Sequence, residues 1–328
     1  MTPRFSAFAT AAGVAGTLGL SVVVAKRFLY ASPYAATATV VTGDGDQVEL
    51  TKNRDTTLPG TYRLTRGDDT VTVGAIRTTT GTSVLREASP AAAAGEWAWD
   101  ALMTDSVPAA SEVADTHVIH VHGQSLGPRQ TVRGISVWTG LGASSEVLDV
   151  EGFPLRALDP ATAGLIESRV RAARQQGAKR VILQGWSAGA LACSVAAGRT
   201  PVDAIVAISP LLSIRTALRA AVAGFHLPRA IGSVSYRLVT TAGLSRLAGT
   251  VAPLTATKWV VTPGTPVLVL HSDADSLVAE ADVEQLQQSD EVSVVTFDTA
   301  PHTLEWNESP TKWDQAIRTF AGANSLAR

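Results

Sequence analysis

Val181-Ile182-Leu183-Gln184-Gly185-Trp186-Ser187-Ala188-Gly189-Ala190-Leu191-Ala192 is the stretch on which the fold turns. An apolar run of strand length breaks off in Gly-Trp-Ser-Ala-Gly and resumes at once in helix-forming residues. The spacing Gly185-x-Ser187-x-Gly189 predicts a sharp strand-to-helix turn. Small residues two before and two after the serine let strand and helix close on each other, which lifts the hydroxyl above the end of a sheet. The competing reading is an ordinary glycine turn. Strand before and helix after favour a nucleophile.

Working outward from Ser187, the chain from His117 onward alternates two textures. "HVIHVHG", "SEVLDVE", "RVILQG", "AIVAIS", "PVLVLH" and "VSVVTF" are apolar, mostly β-branched runs. Most are separated by helix-like segments at Pro160 to Gln176, Ala188 to Ala197, Ala279 to Gln288 and Pro310 to Phe320. This alternation predicts an α/β fold, a mostly parallel central sheet with helices on both faces. Ligands then bind beyond the carboxyl ends of the strands. Between Ile208 and Val267 there is no clear strand, only helical stretches, read as a helical cap insertion at about 212–262 over the site. No Asp or Glu falls between Ala204 and Ser272, whereas Arg215, Arg219, Arg229, Arg237, Arg246 and Lys258 do. Those bases are either solvated helix faces or a basic cap suited to anionic substrates or acidic lipid headgroups.

Before His117 the texture differs. Residues 31–94 read as a strand-prone extension in which Asp/Gly/Thr clusters separate short β-branched runs. The α/β domain is placed at 95–328. Residues 5–25 carry no charge and lie between Arg4 and Lys26-Arg27. That length crosses a bilayer, so 1–30 is read as an uncleaved membrane anchor of the cell envelope, with the side of the membrane open. A cleaved signal ending near Ala36-Thr37-Ala38 and a buried helix are the other readings. The 328 residues carry a net charge of −2, which argues against a nucleic-acid partner. Cys193 is the one cysteine, so no internal disulfide forms, and its position predicts a small buried apolar residue.

A serine hydroxyl needs a base, a carboxylate to orient that base, and donors for the developing oxyanion. Among six histidines, His302 in "TAPHTLEW" follows the last strand and precedes the final helix, so it can hang over the strand ends. The carboxylate comes from the turn Ser272-Asp273-Ala274-Asp275, where either aspartate qualifies. The N–H of Ala188 begins the helix after the serine, and the backbone of Gln124, after Gly123, supplies a second donor. His120-x-His122 offers a rival account as a metal pair on one strand face, although no further His or Asp follows in its loop.

These residues resemble the α/β-hydrolase superfamily. The order Ser187, Asp275, His302 matches its Ser…Asp…His order, "HVHGQS" its His-Gly oxyanion loop, "GWSAG" its nucleophile elbow and "VLVLHSDADSLV" its acid turn. The resemblance covers residues 95 to 325 and selects Asp275 over Asp273. Ser272 departs from the usual glycine. The apolar N-terminal segment, "LPGTYRL" and the Gly-Trp-Ser elbow are similar to membrane-associated actinobacterial hydrolases. The resemblance implies a serine hydrolase of the carboxylesterase or lipase kind, acting on a lipid-like ester or thioester through an acyl-enzyme. No cofactor is implied. Acyltransfer, peptide cleavage, or an idle site in a membrane-bound binding protein are the alternatives.

Overall fold

The computed structural model describes residues 3–29, 36–104, 106–124, 126–150, 160–249, 253–254 and 259–326, with side chains from residue 16 onward. A long helix α1 (Pro3–Leu29) opens the chain. Six strands follow: β1 (Ala36–Asp44), β2 (Gln47–Thr51), β3 (Tyr62–Arg66), β4 (Asp69–Thr79), β5 (Ser83–Ser89) and β6 (Gly95–Asp100). They pair antiparallel into a closed barrel of order β1-β2-β5-β4-β3-β6. Period-2 burial along β2 and β3 points Val48, Leu50, Tyr62 and Leu64 inward, where they meet Val71, Val73, Trp97 and Trp99. Closure leaves no unpaired edge. β6 pairs with β1 and β3, so this strand, which the boundary at residue 95 places in the α/β domain, belongs by its hydrogen bonds to the barrel.

The remainder is layered. Strands β7 (Thr116–Val121), β8 (Ser144–Leu148), β9 (Arg180–Trp186), β10 (Ala204–Ile208), β11 (Val267–Ser272) and β12 (Val292–Phe297) form a six-stranded sheet of order β12-β11-β10-β9-β7-β8. Its pairings are parallel. The six apolar runs of the sequence supply its six strands. Burial of every residue in β7, β10 and β11 is what coverage of both faces demands. The helices are α2 (Val132–Thr139), α3 (Pro160–Gln175), α4 (Ala188–Ala197), α5 (Ile214–Gly224), α6 (Arg229–Thr240), α7 (Ser245–Ala248), α8 (Glu280–Leu286), α9 (Glu305–Glu308) and α10 (Pro310–Ala323). One core layer joins α3 and α4 to the sheet through Ile166, Val170 and Leu191, and the other joins α2 and α10 through Trp138, Trp313 and Ile317. Cys193 is fully buried in the first, and burial pushes its thiol pKa up.

The expected N-terminal membrane span is overturned. Among the described residues no helix is long and apolar enough to cross a membrane, so the membrane-anchored localisation read from residues 5–25 does not stand. The C-terminal part of α1 instead packs on the protein. Ser21, Val24, Ala25 and Leu29 share one helical face and are buried. The Ser235 hydroxyl donates to the Ser21 carbonyl at 2.9 Å, tying α1 to α6. Helices α5 to α7 form the expected insertion. Its five described arginines, Arg215, Arg219, Arg229, Arg237 and Arg246, are all exposed, and Arg215 lies over the Tyr236 ring at 4.8 Å. Lys258 lies outside the described residues.

Candidate active site

β9 ends at Trp186 and α4 begins at Ala188, which leaves Ser187 alone in the turn. Its φ of 50° and ψ of −115° are unusual for a residue with a side chain, a strain held by the flanking glycines. A Cβ at Gly185 would sit 2.5 Å from the Ala190 backbone, and one at Gly189 would sit 2.2 Å from the Val121 carbonyl oxygen. No larger residue fits either place, so the glycine spacing follows from backbone contact between strands and helix. The Ser187 N–H donates to the Ile208 carbonyl at 2.9 Å, locking the turn to the next strand.

Ser187 Oγ lies 2.8 Å from His302 Nε2, and His302 Nδ1 lies 2.7 Å from Asp275 Oδ2. The structure thus brings together three residues separated by 88 and 27 positions. Asp275 is buried and accepts a further bond from the Leu277 N–H at 2.8 Å, whereas Asp273 is exposed. Ser272 tolerates the place usually held by glycine because its φ is not positive; its hydroxyl accepts from the Ala274 N–H at 3.3 Å. The two histidines of the His120-x-His122 pair are engaged elsewhere. His120 is fully buried beside Ser145 Oγ at 3.0 Å, and burial pushes its pKa down to about 3. His122 Nδ1 reaches the Gly123 carbonyl at 2.7 Å while its Nε2 accepts from the Val150 N–H at 3.0 Å. Among the described residues no cluster of three or more His, Cys, Asp or Glu is arranged to hold an ion.

For the oxyanion, Ala188 opens α4, so its N–H is one of the first-turn donors without an intrahelical acceptor. Gly123 lies close enough to the elbow that a Cβ there would come within 3.3 Å of Ser187 Cβ, and its N–H donates to Gln130 Oε1 at 2.9 Å. The adjoining Gln124 borders the same cavity as His302. The Gln124 side chain points away and donates to the carbonyls of Phe28 and Leu29 at 3.1 and 2.7 Å, satisfying the C-terminal end of α1.

Electrostatics couple these groups to one the sequence did not single out. Burial alone would lower the His302 pKa. The charge of Asp275, its hydrogen bond and the charge of Glu305 outweigh that and hold the imidazole above its ordinary range. Burial likewise works to raise Asp275, but the charge of His302, its hydrogen bond and the Leu277 N–H keep it below the usual carboxylate range. Glu305, three residues past His302, is fully buried. Its Oε1 accepts from the Ser209 hydroxyl, its Oε2 has no partner, and burial pushes its pKa up to about 7. Ser209 also accepts from the Thr303 N–H at 3.0 Å. Ser209 and Thr303, with φ of 41° and 64°, share with Ser187 a backbone conformation that is costly outside glycine. In "TLEW" the glutamate reads as the exposed start of a helix, so no one-dimensional signal marks it.

A cavity of about 550 Å³ opens on His302 and Gln124. Its walls come from the acid turn, the His302 loop and the barrel segment that carries Arg54, Asp55 and Leu58. Among the described residues none from the helical insertion borders it. A second cavity, of about 620 Å³, lies between α5, Tyr236, Trp259 and α8, and contains none of the expected site residues.

Comparison with solved structures sets this arrangement in context. The esterase Pf2001 from Pyrococcus furiosus is 17% identical, and 83% of this chain and 94% of that one align with a TM-score of 0.50. For MGS-MChE2, an alpha/beta hydrolase enzyme from the metagenome of lagoon sediments at Mar Chica, Morocco, the identity is 16%, the coverage 65% and 94%, and the TM-score 0.44. For the carboxylesterase CesB from Bacillus subtilis they are 11%, 93% and 97%, and 0.43. Its structural neighbours are α/β hydrolases. The Pyrococcus furiosus match carries the likeness, and at that identity it speaks for the fold. Residues 38–99, which lie within the barrel, match a family described as a domain of unknown function, DUF8805. No curated protein matches the chain in sequence.

Proposed function

We propose that the protein is a serine hydrolase that cleaves a carboxylic ester or thioester through an acyl-enzyme. The observation that carries this reading is the continuous hydrogen-bond chain from Ser187 through His302 to Asp275. His302 Nε2 takes the Ser187 proton as the oxygen attacks the acyl carbon. The tetrahedral oxyanion accepts hydrogen bonds from the N–H groups of Ala188 and Gln124. His302 then returns the proton to the departing oxygen or sulfur, which frees the alcohol or thiol and leaves the acyl group on Ser187. Water, deprotonated by the same imidazole, releases the acid and restores the serine. Asp275 holds the Nδ1–H tautomer and stabilises the imidazolium without taking its proton.

A fluorophosphonate probe tests this reading. The folded protein is expected to gain one covalent adduct on Ser187, and the Ser187→Ala variant none. A well-folded protein that gains no adduct would instead be a hydrolase-fold binding protein.

A further inference from the structure

Three observations bear on what the barrel does for the site. The first is the cavity beside His302, whose apolar wall is assembled from both parts of the chain: Leu58 and Ala101 from the barrel side, Leu126, Leu277, Pro301 and Leu304 from the other. The second is that the barrel segment is fixed in place. Asn53 Oδ1 accepts from the N–H groups of Asp55 and Thr56, each at 2.8 Å. From inside the barrel the fully buried Arg86 donates to the carbonyls of Thr56, Leu58 and Gly60. The third is that the His302 loop is built into the barrel. Leu304 belongs to the barrel's hydrophobic cluster, and Asn307 donates to the carbonyls of Thr61 and Ala101 at 2.7 and 2.9 Å.

Resting on the hydrolase reading above, we propose that the barrel is a working wall of the active site, with Leu58 a specificity-determining residue that receives the apolar alcohol or thiol half of the substrate. The assignment to the leaving half follows from proton transfer. The imidazole must face the atom that departs, because it hands that atom a proton, so space bordered by His302 and its loop accepts what departs with it. Apolar walls and a pre-set backbone select by buried area, roughly fourfold in kcat/KM per methylene covered. Arg54 and Asp55 close the barrel end of the cavity with opposite charges, which leaves no net charge to favour an ionic leaving group.

The test uses the full chain and two ester series measured by acid release, alkyl acetates of growing alcohol and methyl esters of growing acid. Leu58→Trp narrows the cavity from its barrel wall. Its ratio of kcat/KM for hexyl over methyl acetate is expected to fall about tenfold or more below the parent's, while the slope of the methyl-ester series stays as in the parent. Leu58→Ala is expected to move the optimum to a longer alcohol, which keeps the proposal testable if the tryptophan variant does not fold. A penalty confined to the acyl series would overturn the leaving-half assignment. Unchanged ratios in both series would overturn the barrel wall. Failure of the parent to turn over any ester or to take up a fluorophosphonate is a different outcome and removes the hydrolase reading itself.

Discussion

The barrel and the helical insertion flank the same parallel sheet yet relate to the candidate site in opposite ways. The insertion interrupts the strand-helix rhythm between β10 and β11, where a cap is expected, but its described residues pack with α1, α4 and α8 and none borders the cavity at His302. The barrel reaches the cavity with Arg54, Asp55, Leu58 and Ala101. A break in rhythm therefore marks where chain has been added and not which addition covers the chemistry. That is decided by contacts such as Gly60 against Asn307, where a Cβ would lie 2.0 Å from a carbonyl oxygen.

The largest separation between the two regions is expected at their glycines. Gly60→Val meets both that clash and a φ of +95°, so the barrel can no longer seat on α9 and the His302 loop shifts. A displacement of about 1 Å costs on the order of 100-fold in kcat/KM. Gly232→Ala in the insertion makes only ordinary contacts at 3.4 Å or more and is expected to stay within about threefold of the parent. Equal losses in esterase assays, with both variants folded by circular dichroism, would erase the distinction.

Asn307→Ala sharpens it. The substitution removes the two bonds to Thr61 and Ala101 and the acceptor that Arg133 uses at 2.9 Å. Unfolding in urea is expected to show a loss of about 2–3 kcal/mol, and activity is expected to fall about tenfold.

Much of the parallel part was legible because its rules are local. Six buried strands announce themselves as six apolar runs, and Pro160, Ala188 and Pro310 start helices where the sequence places them. The elbow was legible because its glycines answer to backbone contact, and the acid turn and His302 because each follows a strand. What could not be read depends on distant partners. Closure of six short strands into a barrel is a long-range pairing of Ala36 with Trp99. Arg86 and Glu305 look like surface residues until the fold buries them. The apolar length of residues 5–25 suggested a bilayer, whereas the chain supplies α6 and α7 as a surface for the end of that helix.

Glu305 offers a subtler probe of the barrel-side loop. Its negative charge helps hold the His302 pKa up, so Glu305→Gln is expected to move the acid limb of kcat/KM to lower pH, since the neutral base then persists there. Its folded pKa of about 7 lies above the ordinary carboxyl value of 4.5. Folding is therefore favoured by this group below pH 4.5, and that contribution is lost as pH rises to about 7. The stability of Glu305→Gln relative to the parent should accordingly rise across this window in unfolding titrations. A pH-independent difference would remove Glu305 from the network. The smallest effect is expected on the insertion's exposed face, where Arg219→Glu and Arg237→Glu should change turnover of neutral and anionic esters alike by less than about twofold. A selective loss on the anionic esters would return the basic insertion to the substrate path.

Acid quenching of the enzyme during turnover of an activated ester, followed by peptide mass mapping, tests the central claim most directly. One acyl mass on the peptide containing Ser187, gained by the parent and by Asp273→Asn but lost in Ser187→Ala, is the expected result. An acyl mass on another residue, or turnover that persists in Ser187→Ala, would contradict it.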